Sequence, residues 1–376
     1  MTRGSVFASE SRYLTDEATG ARIRRVTAHP SIHHHPFFFV PAYDGAMARL
    51  IFVSHRSGRP EIYAEDRDSG KLVQLTEREG LAEYSIYPSH DGRYVYYTAG
   101  AGGFRVDTET QREEQLVDLG ALGDIRLRER GMVADAMGTT ALSFDDRYWA
   151  LRFSIGGRAH LAVIDEGSGD CDIILQRDTI AHLMFCPDDN NLLYYAGPLK
   201  DRVWVIRRDG SENRRLYQRA PGEWITHEVW LPGRRELAFV DWPRGIRAVH
   251  VDTGAERRVT SFNAWHAICN RAGTLMVADT NFPDIGIQLF NPLDGGGEPV
   301  TLCYPGASNQ GAHWGGPFPY EDGPIKVNAP QHTHPHPSFS PDSRRVVFTS
   351  DRSGMAQVYE AEIPEELLER LKNGIS

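Results

Sequence analysis

The segment Gln331-His332-Thr333-His334-Pro335-His336-Pro337 has residue types and a spacing suited to holding a metal ion. His334 and His336 are two apart, so on an extended strand both imidazoles project from one face. Gln331 lies three positions upstream of His334, just before the prolines fix the backbone, and can turn an amide oxygen toward the same point. His332 faces elsewhere or supports the ligands from behind. A third imidazole can come from His266 in Ala264-Trp265-His266-Ala267, which holds in one repeat unit the place that His334-Pro335-His336 holds in the next. One unit earlier that place belongs to His227, in Trp224-Ile225-Thr226-His227-Glu228-Val229-Trp230. Imidazole and amide-oxygen ligands with open positions for water suit Mn²⁺, Zn²⁺, Fe²⁺ or Ni²⁺ better than Ca²⁺. A blander reading of the set is that inner-strand histidines fill a channel with hydrogen-bonded side chains.

The other histidines have simpler readings. His55, His90, His160, His182 and His250 stand singly in or beside strands and read as structural. The run His33-His34-His35 precedes Pro36-Phe37-Phe38-Phe39-Val40 at the start of the first repeat, where His34 and His35 are candidates for contact with a substrate. Arg56, within the first repeat, is a further candidate.

Positioning these groups falls to a repeated unit: an Asp- or Gly-bearing turn, a short run of aromatic and β-branched residues, a second turn and another alternating run. The clearest copy runs from Asp44-Gly45 through Arg49-Leu50-Ile51-Phe52-Val53-Ser54 and Glu61-Ile62-Tyr63-Ala64-Glu65-Asp66 to Leu72-Val73-Gln74, and reads as three antiparallel strands. Further long runs are Tyr94–Tyr97, Tyr148–Leu151, Leu192–Tyr195, Glu236–Phe239, Thr274–Val277 and Arg345–Phe348. Successive turns lie about 39 to 54 residues apart except for one gap of about 71, which takes in an insertion from Asp294 to Pro330. Seven such units predict an all-β, seven-bladed β-propeller forming a single domain over residues 1–376. The seventh unit supplies about three strands before a helical tail over 364–374. Gly20–Thr27 reads as an outer strand without a blade of its own, so joining the two closes the ring without a free sheet edge.

The bulk numbers are those of an ordinary globular chain, with 40% hydrophobic and 24% charged residues. A formal charge of -10 with scattered Lys and Arg argues against nucleic acid as the partner, and an acidic substrate would need a locally positive pocket. Four widely spaced cysteines read as reduced thiols. The polar N-terminus and the lack of an apolar run long enough to span a membrane point to a cytoplasmic protein.

Gln331-xx-His334-x-His336-Pro337-x-Phe339-Ser340-Pro341-Asp342, with Trp265-His266 one blade earlier and Thr226-His227-Glu228 one before that, resembles the oligogalacturonate lyases. Weaker similarity runs through Ser9-Glu10-Ser11-Arg12, Leu75-Thr76-Glu77 and Asp201-Arg202-Val203-Trp204. The resemblance implies one divalent ion, most simply Mn²⁺, on His266, Gln331, His334 and His336. It further implies that His227 is the Brønsted base and that Arg202 binds or neutralises the substrate near the cleavage point; His34, His35 and Arg56 remain candidates from the residues alone, the His33–His35 run being a departure from the family pattern. The implied reaction is β-elimination of 4-linked uronides to 4,5-unsaturated products, on an acidic oligosaccharide. Three alternatives stand beside it: a lyase or hydrolase for another acidic sugar, a non-catalytic propeller scaffold, and a propeller peptidase. The last is disfavoured because the sequence has no GxSxG elbow.

Overall fold

The computed structural model describes residues 2–122, 138–281, 283–293, 298–307 and 333–372. Gln331, His332 and the greater part of the 294–330 insertion lie outside the described residues. Among the described residues nearly all regular structure is β, with one α-helix at Glu365–Lys372; residues 373 and 374 of the expected tail lie outside them. The chain groups into two compact units, one of residues 2–8, 40–122 and 138–219, the other of residues 9–39 and 220 onward.

The first unit holds four antiparallel sheets. Their strands that belong to this unit, in spatial order, are Val6–Phe7, Leu72–Gln74, Glu61–Asp66 and Arg49–Ser54; Glu113–Asp118, Gly102–Asp107, Tyr94–Ala99 and Tyr87–Pro88; Ala141–Leu142, Tyr148–Ile155, Arg158–Asp165 and Cys171–Arg177; and Ala181–Cys186, Asp189–Ala196, Val203–Arg207 and Arg214–Tyr217. Continuous burial of Leu50-Ile51-Phe52-Val53 means that both faces of this strand are covered. On one face, Ile51, Val53 and Ile62 pack with Val95, Tyr97 and Phe104 of the second sheet, so sheets stack face to face through layers of apolar side chains. An equivalent layer joins the third and fourth sheets through Leu161, Val163, Leu193 and Tyr195.

The second unit has three sheets: Ile225–Leu231, Glu236–Asp241, Gly245–His250 and Glu256–Thr260; Ala264–Cys269, Met276–Thr280, Ile287–Phe290 and Val300–Cys303; and a five-stranded one ordered Arg12–Thr15, Arg22–Arg25, Gln357–Glu362, Arg345–Ser350 and Ser338–Phe339. The N-terminal strand completes the C-terminal sheet as expected, pairing Ile23 with Ala361 and Arg25 with Tyr359. Ile23 is fully buried against Phe348, Tyr359 and Ala361, and Arg24 Nε meets Glu360 at 2.6 Å. Two N-terminal strands join this sheet rather than one, because Arg12–Thr15 pairs in turn with Arg22–Arg25.

Three of the turns that mark the repeat are held by one device. Ser89, Ser143 and Ser340 each donate a hydroxyl hydrogen bond to the aspartate two residues on (Asp91, Asp145, Asp342) and accept the backbone N–H of Tyr94, Tyr148 and Arg345, which begins the long strand. That long strand is the second of its sheet, not the first: a strand over Tyr87–Pro88, Ala141–Leu142, Ala181–Cys186, Ile225–Leu231, Ala264–Cys269 or Ser338–Phe339 precedes it. These preceding strands carry His182, His227 and His266.

Candidate metal centre

On three of these leading strands the ladder slips by one residue. The four residues Ala181–Met184 oppose the three Tyr194–Ala196, and the same count holds for Thr226–Val229 against Ala238–Val240 and for Ala264–Ala267 against Ala278–Thr280. In the C-terminal sheet Thr349 N–H bonds to Pro335 O while Val347 opposes Ser338, which is the same slip. A bulge of this kind bends the strand, re-aims side chains and takes backbone groups out of the ladder. The first residue of the slip has a left-handed backbone in three cases, and each is a histidine: His182 (φ 49°), His227 (φ 50°) and His336 (φ 48°). Non-glycine residues adopt such angles uncommonly, histidine more readily than most.

Within the second unit the bulges gather three imidazoles. One ring nitrogen of each of His266, His334 and His336 lies within 4.8 Å of the others. Nitrogen donors on one ion, at about 2.1 Å from it, sit roughly 3 to 4 Å apart, so small ring rotations seat all three on one metal. The residues that hold the rings also suit a metal. Asp279 is buried on the neighbouring strand, and its Oδ2 accepts the Nδ1–H of His266 at 2.8 Å while Oδ1 accepts the His266 backbone N–H at 2.7 Å. Because a carboxylate only accepts, the His266 proton is fixed on Nδ1 and Nε2 is the ligand nitrogen. The same Oδ2 takes the His336 backbone N–H at 3.3 Å. His336 is held well below the ordinary imidazole range, chiefly by burial and then by the neighbouring His266, His334, His35 and His227, so it stays neutral.

An extended strand would set His334 and His336 on one face. The structure has no strand there; regular pairing begins at Ser338, and the left-handed turn at His336 lays the two rings 28° from parallel with centroids 5.2 Å apart.

His227 adjoins the trio, its ring centroid 4.3 Å from that of His266. Its Nδ1 lies 2.5 Å from the Trp265 carbonyl oxygen, which can only accept, so Nδ1 carries the proton and Nε2 is the basic nitrogen. Phe38, fully buried, covers one side of the group, with ring centroids 5.6, 5.2 and 6.1 Å from His227, His266 and His336. Phe37 lies edge-on to His336 at 4.8 Å.

His34 and His35 are both buried in this unit. His35 donates Nε2–H to His336 O at 2.6 Å and its Nδ1 accepts the Thr349 hydroxyl at 2.7 Å, so both ring nitrogens are taken up inside the protein. Burial, followed by the effect of His34, lowers its pKa to about 3 against the pull of the His336 carbonyl. His34 Nδ1 donates to His35 O at 3.0 Å.

In the first unit, Arg202 is 9% exposed and its Nη2 donates to His182 Nδ1 at 2.9 Å. The Arg56 guanidinium lies over the rings of Phe7, at 4.7 Å, and Tyr63, at 5.7 Å. Asp279 was missed from sequence, although a lone carboxylate inside Met276-Val277-Ala278-Asp279-Thr280 is a signal that something must pair with it. None of the four cysteines forms a disulfide. Among the described residues no helix is long and apolar enough to cross a membrane.

The chain is similar to known proteins along its whole length. The oligogalacturonate lyase family model matches residues 147–367. The chain is 26% identical over 394 residues to the oligogalacturonate lyase of Dickeya dadantii, covering 98% of this chain and all of that one, and 25% identical over 399 residues to the oligogalacturonide lyase of Pectobacterium atrosepticum with the same coverage. Among solved structures, an oligogalacturonate lyase in complex with manganese superposes with a TM-score of 0.81 at 24% identity over 98% of this chain and all of that one. The oligogalacturonate lyase of Vibrio parahaemolyticus gives 0.80 at 23% over 97% of this chain and all of that one. These likenesses show the fold, and the seven sheets are the blades of a seven-bladed β-propeller.

Proposed function

Because this chain belongs to the oligogalacturonate lyase family, we propose that it cleaves short oligogalacturonides by β-elimination with one divalent ion, most simply Mn²⁺, held by His266, His334 and His336. Gln331, read from sequence and outside the described residues, is proposed to complete the ligand set. The observation that carries the reading is the joint placement of three convergent imidazoles and a fourth, His227, whose tautomer is set for accepting a proton.

The reaction removes the proton on C5 of a uronide, forms the C4–C5 double bond and breaks the C4–O4 bond, after which O4 of the departing sugar takes up a proton. C5–H is a weak acid because the adjacent carboxylate is already negative. His266, His334 and His336 would hold the ion, which would supply Lewis-acid stabilisation of the charge that develops as that proton leaves. His227 takes the proton on Nε2; donation of Nδ1–H to Trp265 O orients the ring and stabilises the imidazolium as it forms. Asp279 fixes His266 in the ligating tautomer and anchors the backbone of His336. His35 serves the site from behind, clamping the His336 carbonyl in the left-handed turn. Phe37 and Phe38 keep water from one side of the histidines, which strengthens electrostatic interactions there. Arg202 is assigned to a substrate carboxylate or to the charge growing on O4, where its planar fork suits a carboxylate. His34 and Arg56 are proposed to border the substrate.

The test is to incubate the protein and Mn²⁺ with oligogalacturonides and follow the ultraviolet absorbance of the 4,5-unsaturated uronide. His227→Ala is expected to bind Mn²⁺ normally and lose turnover by roughly 10²–10⁴-fold, the usual worth of a positioned base. His334→Ala is expected to lose both metal and turnover. Absence of unsaturated product from every uronide tried, or a His227→Ala protein with full activity, overturns the reading.

A further inference from the structure

We infer that His182, in a strand that the sequence offers as merely structural, is a positioning residue that fixes Arg202 for the substrate. The proposal rests on the assignment of Arg202 made above. Three observations carry it. First, His182 is the opening residue of the same one-residue bulge that places His227 and His336, and it shares their left-handed backbone at φ 49°. Of the three histidines at this repeated position, one is the assigned base and another a ligand. A non-glycine residue in this conformation is strained, and such strain persists where the surrounding structure imposes it, often at functional sites. Second, His182 Nδ1 lies 2.9 Å from Arg202 Nη2. A guanidinium has only donors, so Nδ1 must accept, which keeps His182 in the tautomer protonated on Nε2. Third, both side chains are buried, at 8% and 9% exposure. A long arginine side chain with its head in such a place loses its freedom before substrate arrives, and the ordering cost is then not charged to binding.

Arg202 is also placed by its own backbone. Its carbonyl accepts Gly197 N–H at 2.7 Å, closing the loop between Asp189–Ala196 and Val203–Arg207. A Cβ at position 197 would come within 2.2 Å of Asp201 O, so only glycine permits that loop to close so tightly. Loop and histidine thus fix the two ends of one side chain.

The experiment compares His182→Gly with His182→Asn. Both residues accept a left-handed backbone, but only asparagine offers an acceptor where Nδ1 stood. With oligogalacturonide and saturating Mn²⁺, His182→Gly is expected to lower kcat/KM by roughly 10- to 150-fold, the worth of one hydrogen bond to a charged group. His182→Asn is expected to recover most of that loss, with the melting temperature and Mn²⁺ affinity of both variants near wild type. In an Arg202→Ala background, His182→Gly should add nothing further. If the Gly and Asn variants are equally slow, or the double variant shows additive losses, His182 does not act through Arg202 and the proposal falls while the assignment of Arg202 stands. A fully active Arg202→Ala protein overturns that assignment and the proposal together.

Discussion

Replacing Asp279 by asparagine keeps the shape of a buried side chain and removes one acceptor, which makes it a sharp probe of how the metal ligands are held. The carboxylate now receives three N–H donors: Oδ1 takes the His266 backbone at 2.7 Å, and Oδ2 takes His266 Nδ1–H at 2.8 Å and the His336 backbone at 3.3 Å. An amide has one acceptor oxygen. If that oxygen faces Nδ1–H, the NH₂ group confronts the His266 backbone N–H, donor against donor. If the amide turns over, its NH₂ favours a bare Nδ1, which moves the proton to Nε2, the nitrogen that must bind the ion. Either arrangement weakens the site. Loss of such an outer partner typically costs 10- to 100-fold in metal affinity, or about 1.4 to 2.7 kcal/mol. Titration calorimetry with Mn²⁺ reads the difference directly, and thermal melts of the metal-free proteins check that the variant folds. A folded Asp279→Asn protein that binds Mn²⁺ as tightly as wild type refutes the argument.

Other expectations follow from the same packing. Phe38→Ala leaves a cavity beside His227, His266 and His336, and should cost about 3 to 5 kcal/mol of stability in denaturant melts together with a weaker grip on Mn²⁺; a loss below about 1 kcal/mol would show that Phe38 is not the packing centre described. His35, with its pKa lowered to about 3, stays neutral when folded but takes up a proton below its ordinary value of 6.5 when unfolded. Its contribution to stability is therefore complete above pH 6.5 and is lost as pH falls toward 3, by up to about 1.4 kcal/mol per pH unit. Denaturant midpoints of the metal-free protein from pH 7.5 to 4.5 should fall more steeply for wild type than for His35→Gln, and equal slopes would contradict the buried, neutral assignment. Ile23→Ala should destabilise by about 2 to 5 kcal/mol, since Ile23 is fully buried on the N-terminal strand that completes the last sheet; a change within about 0.5 kcal/mol would mean that this strand is not needed.

The sequence displayed the fold through its long strands and its Asp-bearing turns, because each repeat must bury two faces and turn sharply in between. Runs such as Leu50-Ile51-Phe52-Val53 and latches such as Ser340–Asp342 are local signals. The leading strands were harder to see. Tyr87–Pro88, Ala141–Leu142 and Ser338–Phe339 are two residues long, too short for any periodicity, and the other three are broken by a slip that period-two reasoning does not contain. The pairing of His334 with His336 came out of an extended-strand argument, yet the rings approach because His336 turns left-handed. No glycine or asparagine marks that turn. The pairing of Asp279 with His266 and that of His182 with Arg202 are invisible for a related reason: 13 residues separate Asp279 from His266 and 20 separate His182 from Arg202, and only the strand register brings them together.

The bulges also explain how so compact a site keeps its backbone satisfied. A one-residue slip removes N–H and C=O groups from the ladder, and a buried polar group without a partner is costly. Here those groups bind the site's own side chains. Trp265 O, released by the slip between Ala264 and Ala267, accepts the His227 proton, and His266 N–H from the same slip goes to Asp279. At the equivalent place in the last sheet His336 N–H also goes to Asp279, and His336 O goes to His35. The irregularity that re-aims the histidines thus supplies the donors and acceptors that fix their tautomers and orientations. A leading strand restored to regular pairing by deleting one residue of its bulge would lose both at once, the direction of the ring and the group that orients it.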